Sequence, residues 1–320
     1  MNRNFFTMQR NMLGLLCATM LALTGCMAGG TATDTPEIPE KLSKNNDGVP
    51  VLNVYDVASD KLEEMDVETY LMGVVAGEMR NTWPTEALKA QAILARTFTM
   101  KFVDSKESGY EGADISTDIN EAQAYSADDV NDRIREAVNE TRGLVMSANG
   151  EFPQAWFHAH SGGVTELPTK ALEYSEDPDY LSVVKSNEPD DAPEEVKHWT
   201  VTFTPAQVRK ACIDAGVQVG AITEFEIGER GESGRAVTFL ANGHEVSAPA
   251  FRIQIGASDL KSTLIESIEM TDDGITFTGS GFGHGVGMSQ WGAYEMAKEG
   301  ASAEEIIQHY YTGVDLVELW

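Results

Sequence analysis

Cysteine is nearly missing from this chain. Only Cys17, Cys26 and Cys212 occur among 320 residues, two of them in the first 26, so no disulfide framework can be built. Basic side chains are scarce too. Against 51 Asp and Glu there are 23 Lys and Arg, for a net charge of −28. Nucleic acid and an anionic membrane surface are excluded as electrostatic partners, since either would repel such a protein. No His-Glu-x-x-His segment, no Gly-x-Ser-x-Gly elbow and no phosphate-loop lysine is present. What is present suits a folded domain: 42% of residues are hydrophobic and 23% charged, too apolar for disorder and long enough for a sizeable core.

The first residues read as an address. Arg3 and Arg10 precede a short apolar run from Asn11 to Leu23, then Thr24-Gly25-Cys26. A basic start and a short apolar stretch mark a secretory signal rather than a spanning helix. Leu23-Thr24-Gly25-Cys26 resembles the bacterial lipobox, whose cysteine becomes the lipidated first residue. Residues 1–25 are therefore expected to be a lipoprotein signal peptide, and the protein to sit at the cell membrane, on its outer face, through a lipid on Cys26. Residues 26–48 are polar, hold Gly, Pro and Thr, and read as a flexible tether. A globular pattern without internal repeats runs over residues 49–320.

Helical and strand patterns are mixed along that domain. Val49–Val57 reads as a strand. Tyr70, Leu71, Val74, Val75 and Met79 recur at helical spacing, which predicts a helix over Val67–Met79. Pro84 opens a second helix through Phe102, and Thr204-Pro205-Ala206-Gln207 forms a capping box for a third that ends near Gly216. Short strands are expected at Leu144–Met146, Gln154–His160, Ile222–Ile227, Ala236–Leu240, His244–Val246 and Ile275–Phe277. A last helix follows the cap at Ser302, with Ile306, Ile307 and Tyr310 inward. Ser186–Glu195 reads as an acidic loop within the domain. The fold class is α+β: a single mixed domain with a substrate cleft, in one lobe or two.

Three segments could carry chemistry. Glycines alternate at 279, 281, 283, 285 and 287. In an extended chain they would bare one face, either for a polymer substrate or for tight internal packing. Glu78 lies seven residues after Leu71 and four after Val74, on the apolar stripe of its helix. A carboxyl there is either held protonated by desolvation, ready for general-acid work, or paired with a buried arginine such as Arg96. His158 and His160, two apart on a strand, are too few to hold zinc alone and suit hydrogen bonding better. Cys212 reads as a core filler.

Several segments together resemble the sporulation stage II protein D family. They are Tyr70-Leu71-Met72-Gly73-Val74-Val75-Ala76-Gly77-Glu78-Met79, Trp83-Pro84-Thr85-Glu86-Ala87-Leu88-Lys89-Ala90-Gln91-Ala92 and Ala95-Arg96-Thr97-Phe98. Near the other end stand Gly283-His284-Gly285-Val286-Gly287-Met288-Ser289-Gln290-Trp291-Gly292-Ala293 and His309-Tyr310-Tyr311-Thr312-Gly313. Asp118, Gln123-Ala124-Tyr125 and Ser161-Gly162-Gly163-Val164-Thr165-Glu166 fall where the family has its central motifs.

The resemblance implies a peptidoglycan lytic transglycosylase cleaving glycan strands between N-acetylmuramic acid and N-acetylglucosamine, acting on septal wall during engulfment with a partner amidase or endopeptidase. Relatives outside sporulation are described as amidase enhancers, which keeps a non-catalytic wall-binding role as the alternative. The family's catalytic glutamate corresponds to Glu78, and position in the motifs suggests Gln123, Tyr125, Ser161, His284, Ser289 and Gln290 as glycan contacts. Some members carry zinc beside the cleft. At those positions this chain has Ser116, Glu121 and Ala122, so no metal or other cofactor is expected. One acid can serve because the substrate's own C6 hydroxyl replaces the second carboxylate of ordinary glycosidases. Were water the nucleophile instead, Asp118 is the acid in the central motif that could activate it.

Overall fold

A computed structural model describes residues 35–320. The signal segment, Cys26 and the first part of the expected tether lie outside the described residues. The remainder of that tether belongs to the fold. Pro36, Pro39 and Leu42 are buried, and β1 (Ser43–Lys44) pairs antiparallel with β2 (Pro50–Asp56). Asn45 closes the hairpin, its side chain accepting from Asp47 N and Val49 N. So few of these residues turn inward that no periodicity betrays them. The domain starts before Val49, which corrects that boundary.

β2 also pairs with β3 (Lys61–Asp66) and, in parallel, with β4 (Ile115–Ser116). The first four side chains of β3 are exposed on both faces. Its pairing with β2 alone makes it a strand, so alternation could not reveal it. Asp66 ends β3 and caps α1 (Val67–Glu78), accepting from Thr69 N. α2 (Thr85–Ser105) follows Pro84, whose fixed φ of −54° suits a helix start. Ala87, Leu88, Ala90, Ala92, Leu94 and Ala95 are all fully buried, so α2 is enclosed rather than one-sided. α1, α3 (Asp132–Glu140), β5 (Leu144–Ser147) and the two C-terminal helices pack around it.

The expected strand over Gln154–His160 is only as long as β6 (Phe157–His158), and the chain after it still feeds the first core through Ala171, Leu181 and Ala192. Residues 198–280 build a second one. β7 (His198–Phe203), α4 (Pro205–Asp214) and β8 (Phe225–Ile227) come first, then β9 (Thr238–Ala241), β10 (His244–Ser247) and α5 (Ala248–Ile255). β11 (Ile265–Thr271) and β12 (Gly274–Ser280) complete it, in sheets ordered β11-β12-β7 and β10-β9-β8. Phe203, Phe225, Phe239, Phe251 and Phe277 form a contiguous ring cluster at its centre, with centroids 5.3–6.2 Å apart. Cys212 is buried there, its thiol pushed up to about 11 by burial, and acts as a core filler. The chain then returns to the first core. β13 (Met288–Ser289) pairs in parallel with β6, α6 (Gln290–Lys298) and α7 (Ala303–Tyr310) follow, and β14 (Asp315–Glu318) pairs with β5. The fold is α+β with two cores.

The glycine run is not extended. Gly281, Gly283, Gly285 and Gly287 have φ of 77°, 110°, 86° and 69°, left-handed values that glycine alone takes freely. A Cβ on Gly281 would lie 2.9 Å from His160 O, and one on Gly283 would lie 2.6 Å from His158 Cβ. The run packs internally against the His158–His160 segment. No bare face is left for a polymer there.

Arg96, fully buried on α2, fixes the first core. Its Nη2 meets Glu68 Oε2 at 2.6 Å and its Nε meets Oε1 at 3.1 Å, a bidentate pair with α1. Leu144 O accepts from Nη1 at 2.9 Å. Glu68 Oε1 also receives Gly143 N and Trp320 Nε1, each at 3.0 Å. This excludes the alternative in which Arg96 neutralises Glu78. Removing one partner leaves a buried charge uncompensated. Arg96→Ala is therefore expected to lower the unfolding free energy by about 3–5 kcal/mol, and Glu68→Leu with Arg96→Met together by far less. Denaturant titration of the single and double variants measures both.

Candidate active site

Glu78 is the last residue of α1, half-buried, where backbone carbonyls collect. Two neutral groups hold its carboxyl. Ala124 N donates to Oε1 at 2.7 Å and Gln290 Nε2 donates to Oε2 at 3.3 Å. Among the described residues no salt bridge reaches it. Burial raises its pKa above the usual carboxylate range, and the two donated hydrogen bonds offset this in part. The negative end of the helix dipole acts in the same direction as burial. The result is a carboxyl that keeps its proton further toward neutral pH than an exposed one.

The Ala124 donor depends on two glycines that sequence reading left unassigned. Gly73 and Gly77, one turn apart on α1, let the Gln123–Ser126 segment lie directly on the helix. A Cβ on Gly73 would enter the Tyr125 ring, and one on Gly77 would come within 2.5 Å of Tyr125 N. Ser126 N donates to Gly73 O at 2.9 Å, and the Tyr125 ring stacks on Tyr70 at 5.8 Å. The Gly-x-x-x-Gly spacing was legible; the segment it receives was not.

Gln290 opens α6. Its amide also donates to Gln91 Oε1 at 3.4 Å, so Gln91, buried on α2, steadies it. Ser289 is the N-cap of α6, accepting from Gly292 N at 3.3 Å and donating to Glu188 Oε1 at 2.6 Å. Glu188 lies in the acidic loop, yet its side chain is buried. Gly163 N also donates to it, at 2.9 Å, as does Ser161 N, and His160 Nδ1 stands 3.1 Å away. A cavity of about 490 Å³ opens beside it, walled by His160, Gly162, Gly163, Lys185, Lys197 and Ser280.

The expected contacts divide into two groups. Gln290 touches Glu78, Gln123 and Tyr125 flank its backbone donor, and Ser289 adjoins Gln290. Gln123 is buried and its amide has no partner among the described residues. Ser161 and His284 belong to a different neighbourhood. Ser161 is fully buried, its hydroxyl accepting from Gly163 N and its carbonyl from Arg235. His284 accepts from Val286 N at Nδ1 and lies against His158, and burial beside Arg252 and Arg235 lowers its pKa to about 3. His158 in turn bonds Val286 O at 3.1 Å, whereas His160 faces Glu188, so the two histidines do not share a ligand.

The residues at the family's zinc positions do not fit a metal. Ser116 is buried in β4, Ala122 offers no ligand atom, and Glu121 accepts from Ser108 Oγ at 2.9 Å and Gly109 N at 2.6 Å. Among the described residues no cluster of three or more His, Cys, Asp or Glu is placed to hold a metal. Asp118 accepts from Tyr110 OH at 2.8 Å and from the Asn120 backbone and amide. These bonds outweigh its slight burial and hold it below the usual carboxylate range.

A family model described as stage II sporulation protein matches residues 55–147, the segment that holds Glu78, Gln123 and Tyr125. A second model, a domain of unknown function, matches residues 155–287. Stage II sporulation protein D of Bacillus subtilis is 35% identical over 282 residues, covering 83% of this chain and 78% of that protein. The chain belongs to the stage II sporulation protein D family. The Bacillus amyloliquefaciens protein of the same name is 32% identical over 302 residues, 90% of this chain and 84% of its own length. An amidase enhancer of Bacillus subtilis is 26% identical over 298 residues, 77% of this chain and 40% of its own length.

The helix–segment contact gives a direct test. Gly77→Ala must push the Ala124–Tyr125 backbone off α1, an overpacking change of about 1–3 kcal/mol. Hydrogen exchange should show the Ala124 amide losing its protection while α2 keeps its own.

Proposed function

We propose that the protein is a lytic transglycosylase of peptidoglycan, with Glu78 as both general acid and general base, and that it serves wall remodelling in sporulation. The observation that carries this is the state of Glu78: a carboxyl with two neutral donors, no cation paired to it among the described residues, and a raised pKa. Such a group can protonate the glycosidic oxygen between N-acetylmuramic acid and N-acetylglucosamine. As the C1–O bond breaks, the C6 hydroxyl of the muramyl residue closes on C1. Glu78, now a carboxylate, takes the hydroxyl proton and is restored. Atoms balance without water, and the product ends in 1,6-anhydro-N-acetylmuramic acid. Asp118 is engaged by Tyr110 and Asn120, which supports the substrate's own hydroxyl over an activated water.

Gln290 stabilises the carboxylate stage, Gln123 and Tyr125 flank the backbone donor, and the glycan is read as lying along this side of the cleft. A partner amidase or endopeptidase would act on the same wall; the resemblance to an amidase enhancer supports that pairing. The lipobox supports a lipid on Cys26 and placement on the outer face of the membrane. A fatty-acid probe should label the protein and fail to label Cys26→Ser.

The chemical test is product mass. Purified glycan strands incubated with the protein should yield fragments lighter by one water than hydrolysis products. Glu78→Gln should lose about 10²–10⁴-fold in rate. It should also be at least as stable as the parent at neutral pH. A carboxyl with a raised folded pKa costs stability as pH rises from its unfolded value, in full once pH exceeds the raised one, and a neutral amide does not. Reducing-end products would refute the transglycosylase step. Absence of any cleavage, with glycan binding and amidase stimulation retained, would favour the wall-binding enhancer.

A further inference from the structure

Glu188 is a buried carboxylate in the loop before β7, outside every motif that marks the family's site. Its donors from outside its own loop come from two separate segments, Ser161 N and Gly163 N from one and Ser289 Oγ from the other, and Ser186 Oγ within the loop adds a long contact at 3.5 Å. Ser289 caps α6, and the next residue, Gln290, is the donor to Glu78 Oε2. By donating its proton to Glu188, the Ser289 hydroxyl keeps its lone pairs turned toward Gly292 N, which is what an N-cap requires. The loop can reach this place only because position 292 has no side chain. A Cβ there would run into Ser186 Oγ and Tyr310 OH, which themselves bond at 2.8 Å.

We infer that Glu188 is a positioning residue for Glu78, acting through Ser289 to fix the first turn of α6 so that the Gln290 amide stays on the catalytic carboxyl. The inference rests on the reading of Glu78 as the proton donor. The chain of contacts is short: Glu188 to Ser289 at 2.6 Å, one peptide unit to Gln290, then 3.3 Å to Glu78. The groups facing Glu188 are His160 at 3.1 Å, the Arg235 guanidinium, the Tyr310 hydroxyl, and Lys197 and His198 beyond His160. Among the described residues the titratable groups packed about Glu78 include Tyr70, fully buried and neutral, and Tyr125, raised by burial, while the Arg80 guanidinium lies over the ring of Trp291, the residue after Gln290. The links of the path itself, Ser289 and Gln290, are uncharged. The coupling runs through placement of a donor rather than through the charge of an intermediate.

A Gln290 amide that drifts away removes a donor from the carboxylate form only, so the Glu78 midpoint should rise. In the full-length protein, the midpoint can be followed by NMR from the Glu78 carboxyl carbon and, separately, from the alkaline limb of kcat/KM. Gln290→Ala and Glu188→Gln should each raise it by about 0.5–1 pH unit, the size expected for one hydrogen bond. The double variant should rise no further than either single one, because both remove the same contact. A midpoint unmoved in Glu188→Gln, or additive shifts in the double variant, would overturn the inference and leave Glu188 a purely structural residue. Should Glu188→Gln fail to fold, Ser289→Ala cuts the same link, and an unmoved midpoint there overturns it equally. The NMR readout needs no turnover. A protein inactive on glycan would sink the reaction assigned to Glu78 while leaving this coupling measurable.

Discussion

Arg96 has no exposure to water, and a guanidinium so placed must be neutralised where it stands. Glu68 does this at the first turn of α1, and the carbonyls of Leu144 and Val138 accept further hydrogen bonds from the fork. Two consequences follow from the position of that partner. The helix, the long central helix α2 and the closing C-terminal residue Trp320 are tied to one carboxylate. And Glu78, ten residues further along α1 and so about 15 Å away, is left to neutral donors. Had the pairing fallen at the other end of the helix, Glu78 would be an ionised structural group.

The same helix separates two uses of a carboxyl by surroundings alone. Glu68 meets a bidentate cation and two further N–H donors in the core. Glu78 meets one backbone amide, one side-chain amide and low polarity. The difference between an ion-paired carboxyl and one whose pKa is raised thus lies in what stands opposite, not in the acid itself. Gly73 and Gly77 set what stands opposite Glu78, since any side chain at either would hold the Ala124 amide away.

Much of this was legible in the residues, and the rest was hidden for identifiable reasons. α1 and α2 announce themselves because apolar spacing and Pro84 act locally. β3 does not, because four exposed side chains in a row give no alternation, and its strand character comes from β2. The glycine run reads as period two, yet four positive φ values turn it into a packed coil, and φ cannot be inferred from spacing. Glu78 on an apolar stripe was readable, but whether Arg96 would meet it was a question of tertiary pairing. Glu188 was hardest. An acidic loop with prolines looks solvated, and only the fold reveals that one of its acids turns inward to four donors.

That loop also explains how a two-core protein keeps a one-residue site in register. Glu188 sits just before β7, where the chain leaves for the second core, and Ser289 sits just after the chain has come back from it. The excursion of residues 198–280 is therefore closed at its base by a carboxylate–hydroxyl contact beside the donor to Glu78. Ser161 N and Gly163 N reach the same carboxylate, and Ser161 O receives Arg235 from within the second core. A displacement of the second core would be felt first at these groups, ahead of Glu78, through α6. Both donors to the Glu78 carboxyl, Ala124 N and Gln290 Nε2, lie outside residues 198–280, so the second core bears on that carboxyl through the first turn of α6.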